Sequence, residues 1–435
     1  MVVLFLFLVL IALILNFEDN SYLSNITNSA ILLEGICTMI IGWLLIRNTI
    51  GKANDKYIQN KFLKCFLLCF FISLIYIHFT WIPYMKENFG IQAFDPIRYY
   101  YGANDLARYG TTDAYMNYFG VTYFYAFFMR ILGISPLIPL FINILLTLYA
   151  SLTLFVFLKK DNYETKNTLF PYILLIPEVM CYNALSSREI ICMACLTIIV
   201  VKVFELLKHF QTSKLIISLF FFLLLIIVRP PFGLLALLCV GFYFIILSKK
   251  KVVAITFSVI LLGIMFIGAN VTSGLGDSTD AMTEQLDVSQ KRQVDSEVAS
   301  SQNSLSARLT PHNSIEFFVY GVIRSVAYLL ISPGQLANPY NSFFNFNNIS
   351  PTDIYVGWTT IFMMLSIPVL YRNYRKIRLQ NEKIKYLLIC LVLCLYVVGT
   401  FMASFIHLRY RIVYDLLYFS VVLYLLSFKQ KKYIQ

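Results

Sequence analysis

Apolar runs close to the thickness of a lipid bilayer recur along almost the whole chain, separated by short clusters of lysine and arginine. A bilayer core takes about 20 consecutive apolar residues per helix, a length no water-soluble fold needs repeatedly. The chain has 435 residues, of which 59% are hydrophobic and 13% charged. A soluble domain carries about 25% charged residues, so this chain could not cover its apolar surface in water.

Twelve spans follow from the pattern: 1–17, 30–46, 62–82, 136–158, 168–184, 188–207, 214–230, 232–248, 252–270, 355–371, 385–405 and 411–428. The first has no basic leader and no small-residue cleavage site, so it reads as a retained span. Two further apolar stretches, 118–134 and 314–331, are decided by loop charge. The basic clusters at 47–64, 159–166, 202–214, 249–251, 372–385 and 429–432 share one side only if those two stretches do not cross. Each also carries a central arginine, Arg130 or Arg324, which lipid tolerates poorly. They are therefore expected as interfacial or re-entrant helices.

The expected fold is all-α: a polytopic helical bundle forming one integral membrane domain over 1–435, multi-pass, with both termini cytoplasmic. Two large outer loops remain, 83–135 with amphipathic helices and 271–354, partly disordered. The stretch 271–313 contains no Phe, Trp or Tyr and has little to bury, so it is expected to be mobile.

The net charge of +12 would raise the question of nucleic acid in a soluble protein. Here the basic residues sit between spans, and nucleic acid is excluded as a partner. All nine cysteines lie in or near apolar runs, so no disulfide framework is expected. Cys192 and Cys195 form a CxxC within an apolar helix, and no His/Cys set has metal-ligand spacing. The residues point to no cofactor and no metal site.

The cations differ across the expected membrane. The inner side has 19 lysines and 4 arginines, the outer side 2 lysines and 10 arginines. Lysine suffices for topology, whereas arginine offers a planar fork that grips phosphate through two hydrogen bonds. An arginine-rich outer face suits an anion, although arginine also tolerates interfaces and pairs with nearby acids.

Four outer stretches carry candidate chemistry. In the first, Asp95-Pro96 opens a helix that brings Arg98 and Asp105 to one face. Asp95 is either a cap paired with Arg98 or a base facing a sugar hydroxyl. The aromatics that follow, Tyr99 to Tyr101 and on to Tyr125, suit an interfacial belt better than a sugar platform. In the second, Ser186 or Ser187 caps a span opened by Arg188 and Glu189. Arg188 is a substrate-binding candidate, and Glu189 is either a second acid or base or only Arg188's neighbour. In the third, Arg229 precedes two prolines that break a helix, as a cavity lining or a snorkelling anchor. In the fourth, His407, Arg409 and Arg411 crowd into five residues and suit the grip of a phosphate or pyrophosphate; Asp415, a turn beyond Arg411, is placed to pair with it, which leaves Arg409 without a local partner. Glu34 and Glu178 lie inside spans without a partner visible in the sequence.

The segment FDPIRYYYGANDLARYG, the Ser-Arg-Glu turn and the HLRYR turn resemble motifs of GT-C type membrane glycosyltransferases and of bacterial O-antigen or capsule repeat-unit polymerases. That resemblance implies a polyprenyl-(pyro)phosphate-linked sugar donor and transfer on the outer face of a bacterial cytoplasmic membrane. It also implies a polyprenyl-linked oligosaccharide substrate and, as partners, other membrane proteins of polysaccharide assembly. Asp95 corresponds to the first-loop catalytic acid. The family's adjacent acid pair is missing from this loop, which leaves metal dependence open. The expected function is polymerisation of lipid-linked repeats. The alternatives are transfer of one sugar, or a lipid-linked oligosaccharide flippase or other transporter.

Overall fold

The computed structural model describes residues 2–17, 23–51, 56–87, 95–111, 119–159, 169–247, 323, 353–377, 382–401 and 411–427. The expected span 252–270, the loop 271–313, most of 314–331 including Arg324, and the clusters 249–251 and 429–432 lie outside the described residues.

All regular elements among the described residues are helical. The chain order is α1 (Val2–Leu15), α2 (Asn28–Ile50), α3 (Lys56–Tyr76), a π turn (Ile77–Trp81), α4 (Ile82–Glu87), α5 (Asp95–Tyr109), α6 (Phe119–Leu132), α7 (Leu137–Lys159), a 3-10 turn (Phe170–Leu175) and α8 (Pro177–Asn183). There follow α9 (Arg188–Lys208), α10 (Thr212–Val228), α11 (Pro230–Leu247), α12 (Asp353–Ile377), α13 (Glu382–Phe401) and α14 (Ile412–Ser427).

Four of these are long and apolar enough to cross a membrane: α2, the rod Lys56–Glu87, α7 and α9. The surface agrees. Helix α10 exposes Ile216, Leu219, Phe220, Leu223 and Ile227, all on one helical face. Helix α2 exposes Leu33, Ile36, Ile40 and Leu44, and α12 exposes Trp358, Phe362 and Leu365. Contiguous apolar stripes on the outside of a packed chain are lipid-facing surface. The chain is a helical membrane protein.

Helix α9 is the centre of the bundle. It packs against α7, α8, α10, α11 and α14 and is buried almost continuously from Glu189 to Val201. Its 21 residues span about 30 Å, the depth of a hydrocarbon core. Its two ends differ in charge: Arg188 and Glu189 open it, whereas Lys202, Glu205 and Lys208 close it, with Lys214 joining Glu205 at 3.5 Å.

The apolar run expected as a continuous span over 168–184 is broken. It forms a 3-10 turn and then the seven-residue α8, with an extended Ile176 between them. Pro171 and Pro177 explain the break, because neither can donate a backbone hydrogen bond to a helix. Irregular backbone inside a membrane protein survives only where its polar groups find partners. Here other helices supply them. Thr359 accepts from the Glu178 N–H at 3.0 Å, and Ser73 donates to the Met180 carbonyl at 2.9 Å. Asn143 donates to the carbonyls of Leu185 at 2.8 Å and Asn183 at 3.2 Å.

The aromatics of α5 differ from the expected belt. Tyr99, Tyr100 and Tyr101 are buried, with Tyr100 donating to the Leu23 carbonyl and Tyr101 to that of Met85. Only Tyr109 and Tyr123 of the described tyrosines in this region are exposed. Helix α5 packs along α6, so its aromatic face is turned into protein. Arg130 of α6 explains the arginine in that apolar stretch: Nη2 donates to the Leu106 carbonyl at 2.6 Å, in the last turn of α5.

Candidate functional site

Three helix ends meet in one charged network. Asp95 and Pro96 start α5, and Arg98 lies one turn on, its Nη1 4.0 Å from Asp95 Oδ1. Proline fits the first helical turn, and an acid there favours the positive end of the helix dipole. At the head of α9, Ser187 caps the helix by accepting from the Ile190 N–H at 3.4 Å. That cap fixes where Arg188 and Glu189 emerge. At the α10–α11 junction, Arg229 is the extended residue between Val228 and Pro230, its N–H bonded to the Leu225 carbonyl at 2.8 Å.

The side chains link these ends. Arg188 reaches Asp95 Oδ2 at 4.0 Å through Nη2 and Glu189 Oε1 at 3.1 Å through Nε. Arg229 Nη1 lies 3.5 Å from the same Glu189 oxygen, and Ser187 Oγ donates to the other at 3.2 Å. The guanidinium of Arg188 stands over the Tyr99 ring at 5.6 Å, and that of Arg229 over Phe232 at 5.2 Å. Three arginines thus meet two carboxylates among the described residues.

Burial divides the roles within the network. The Glu189 side chain is 1% exposed, between two guanidiniums and a hydroxyl. Asp95 at 16%, Arg98 at 24%, and Arg188 and Arg229 at 14% each are the partly open members. The Arg98 Nε is a buried donor without an acceptor. Buried donors in native structures are almost always satisfied, so an orphan in an arginine cluster invites an anion.

A second tier of neutral residues holds the α9 turn in place. Tyr125 donates to Asn143 Oδ1 at 2.9 Å and to the Ser187 carbonyl at 3.0 Å. Thr147 donates to Asn183 Oδ1 at 2.8 Å. In the sequence Tyr125 stands only among the aromatics of the first outer loop and Asn183 only at the start of the Ser-Arg-Glu turn, and nothing local marks Thr147. A polar residue inside an otherwise apolar run was the only available signal for Asn143. Gly120 sets the approach of α6: a Cβ there would sit 1.8 Å from the Ile227 carbonyl oxygen, two residues before Arg229.

Asp95, Arg98, Arg188, Glu189 and Arg229 are brought together. Asp105 is on α5 but outside the network, half-buried. Burial raises its carboxyl above the usual range, partly offset by Arg108. His407 and Arg409 lie outside the described residues. Arg411 sits elsewhere, fully buried, and its partner is not the expected Asp415. Its Nε donates to Glu178 Oε2 at 3.1 Å, Nη2 donates to the same oxygen, and Nη1 donates to Thr360 Oγ1. Among the described residues no group of three or more His, Cys, Asp or Glu is placed to hold a metal ion.

No family model matches the chain, and no curated protein or solved structure is detectably similar to it.

Proposed function

We propose that the chain is a multi-span membrane glycosyltransferase that acts on a polyprenyl-(pyro)phosphate-linked donor, joining lipid-linked repeats of a cell-surface polysaccharide. In this reading it sits in a bacterial cytoplasmic membrane with twelve spans, both termini inside, and the Arg188 end of α9 facing outward. The observation that carries the reading is the junction of Asp95, Arg98 and Arg188, a partly open carboxylate beside two guanidiniums, one with an unused buried donor.

The chemistry follows from that arrangement. An acceptor hydroxyl attacks the anomeric carbon of the donor, the bond from that carbon to the phosphate oxygen breaks, and the lipid pyrophosphate leaves. Asp95 takes the hydroxyl proton. Arg98 and Arg188 hold the pyrophosphate and offset the negative charge that grows on it. Glu189, enclosed by Arg188 and Arg229, positions those guanidiniums rather than touching substrate.

Deletion of the gene, with the surface glycan examined on a gel, tests the reading. A polymerase deletion leaves glycan of one repeat and no long ladder, and Asp95→Ala at equal protein level reproduces that pattern. Loss of all repeats on deletion would assign the chain to export or an earlier step. A normal ladder from Asp95→Ala would remove Asp95 from the mechanism.

A further inference from the structure

A second charged centre lies where α8, α12 and α14 meet. Glu178 in the first turn of α8, Arg411 beside α14, Asp415 in its first turn, and Thr359 and Thr360 of α12 are all completely buried. Arg411 donates to Glu178 Oε2 and Thr360 Oγ1. Three carboxylate oxygens are left buried without a hydrogen-bond partner: Glu178 Oε1 and both oxygens of Asp415. The charged groups acting on Asp415 are Glu178 from α8 and Arg411 at the head of α14. Among the described residues, Tyr414 and Tyr418 of α14 and Cys394 of α13 are further titratable groups around this centre.

With every acid ionised, one guanidinium would face two carboxylates, and a full negative charge would remain away from water with no donor aimed at it. Buried charge in that condition is among the most costly arrangements in a protein. One proton resolves both problems. It cancels the surplus charge and removes the need for a donor there, since a neutral carboxyl costs far less to bury than a carboxylate. We propose that Glu178 and Asp415 form a proton-binding site inside the bundle, with a single proton on one of the two carboxyls beside Arg411.

The site has a route to the rest of the molecule. Helix α8 starts at this centre and runs directly into the Asn183–Ser187 turn that presents Arg188 and Glu189. Loss of the proton places an uncompensated charge at the base of that segment. The inference does not depend on what reaction the chain performs.

The test is infrared difference spectroscopy of the full-length protein in lipid nanodiscs, in ordinary and heavy water. Glu34, whose Oε2 is also buried without a hydrogen-bond partner inside α2, is first replaced by Gln so that its signal does not interfere. At neutral pH the spectrum should contain a carboxylic-acid carbonyl band that shifts on deuteration and disappears at alkaline pH. Asp415→Asn and Glu178→Gln should each abolish it, because either leaves one carboxylate for one guanidinium. Absence of the band from the Glu34→Gln protein at neutral pH would overturn the proposal without reference to any further variant. Persistence of the band in both Asp415→Asn and Glu178→Gln would overturn it equally.

Discussion

Arg188 Nη2 stands 4.0 Å from Asp95 Oδ2 while its Nε stands 3.1 Å from Glu189 Oε1, so one guanidinium joins the heads of α5 and α9. A lysine at this position keeps the charge but presents a single point, which cannot serve two carboxylates in different directions. Arg188→Lys should therefore lower glycosyl transfer at least tenfold while the protein still accumulates in membranes. Assay of lipid-linked repeat consumption in isolated membranes decides it. Unchanged turnover would mean that only the charge of Arg188 matters.

Asp95→Asn separates catalysis from folding. Asparagine keeps the shape of aspartate but loses its long, partly exposed ion pairs with Arg98 and Arg188, which contribute little to stability, so the melting temperature in nanodiscs should fall only slightly. A positioned base contributes about 10²- to 10⁴-fold, and transfer should fall within that range. A fall matched by an equal loss of thermal stability would instead make Asp95 a structural cap.

Glu189 is the keystone of stability in the network. Its 1% exposed carboxylate separates Arg188 from Arg229, and Glu189→Gln leaves two guanidiniums converging on a neutral amide. Breaking a buried ion pair from one side costs about 3–5 kcal/mol. Thermal unfolding of Glu189→Gln should show a loss of that order, and Arg229→Gln in the same chain should recover part of it. Independent, additive losses would show that the two residues do not act as a pair.

Gly120→Ala tests the packing that places Arg229. Its methyl group would meet the Ile227 carbonyl oxygen at 1.8 Å, a backbone atom with no rotamer to escape into. Overpacking of this kind costs about 1–3 kcal/mol. Thermal unfolding should register that loss, and because the displaced turn carries Arg229, transfer should fall as well. A variant of normal stability would show that α6 and α10 separate easily.

The bundle was legible because lipid imposes one length and one composition on whatever crosses it, so the runs containing α2, α7 and α9 stand out in a single sequence. The heads of α5 and α9 were legible too, since Asp-Pro and Ser-Arg-Glu follow local capping rules. The break at Pro177 was hidden by hydropathy, which averages over a run and ignores two prolines within it. The Arg411–Glu178 pair was invisible for a different reason. Its members are 233 residues apart, and the nearer carboxylate, Asp415, satisfies the helical spacing that normally indicates a pair. The buried tyrosines of α5 fail the same way: composition cannot tell an interfacial ring from one covered by the next helix.

The orientation of α9 is the remaining prediction, and it governs which compartment the network faces. Lysine closes this helix and arginine opens it, and short loops rich in lysine stay in the cytoplasm. In the proposed topology Tyr109, 70% exposed at the end of α5, lies on the arginine side, and Lys208, 44% exposed, closes the other end of α9. Cys37 is the one exposed native cysteine of the nine, so Cys37→Ser gives a quiet background for labelling. In that background Tyr109→Cys should react with a membrane-impermeant maleimide on cells whose cytoplasmic membrane is intact but whose outer layers are permeabilised. Lys208→Cys should react only after the membrane is opened. The opposite pattern would turn Asp95, Arg98 and Arg188 toward the cytosol and end the case for transfer from a lipid-linked donor on the outer face. Equal labelling of both positions in intact cells would mean that α9 does not cross the membrane, which its 21-residue length and apolar composition make the least tolerable outcome for the bundle.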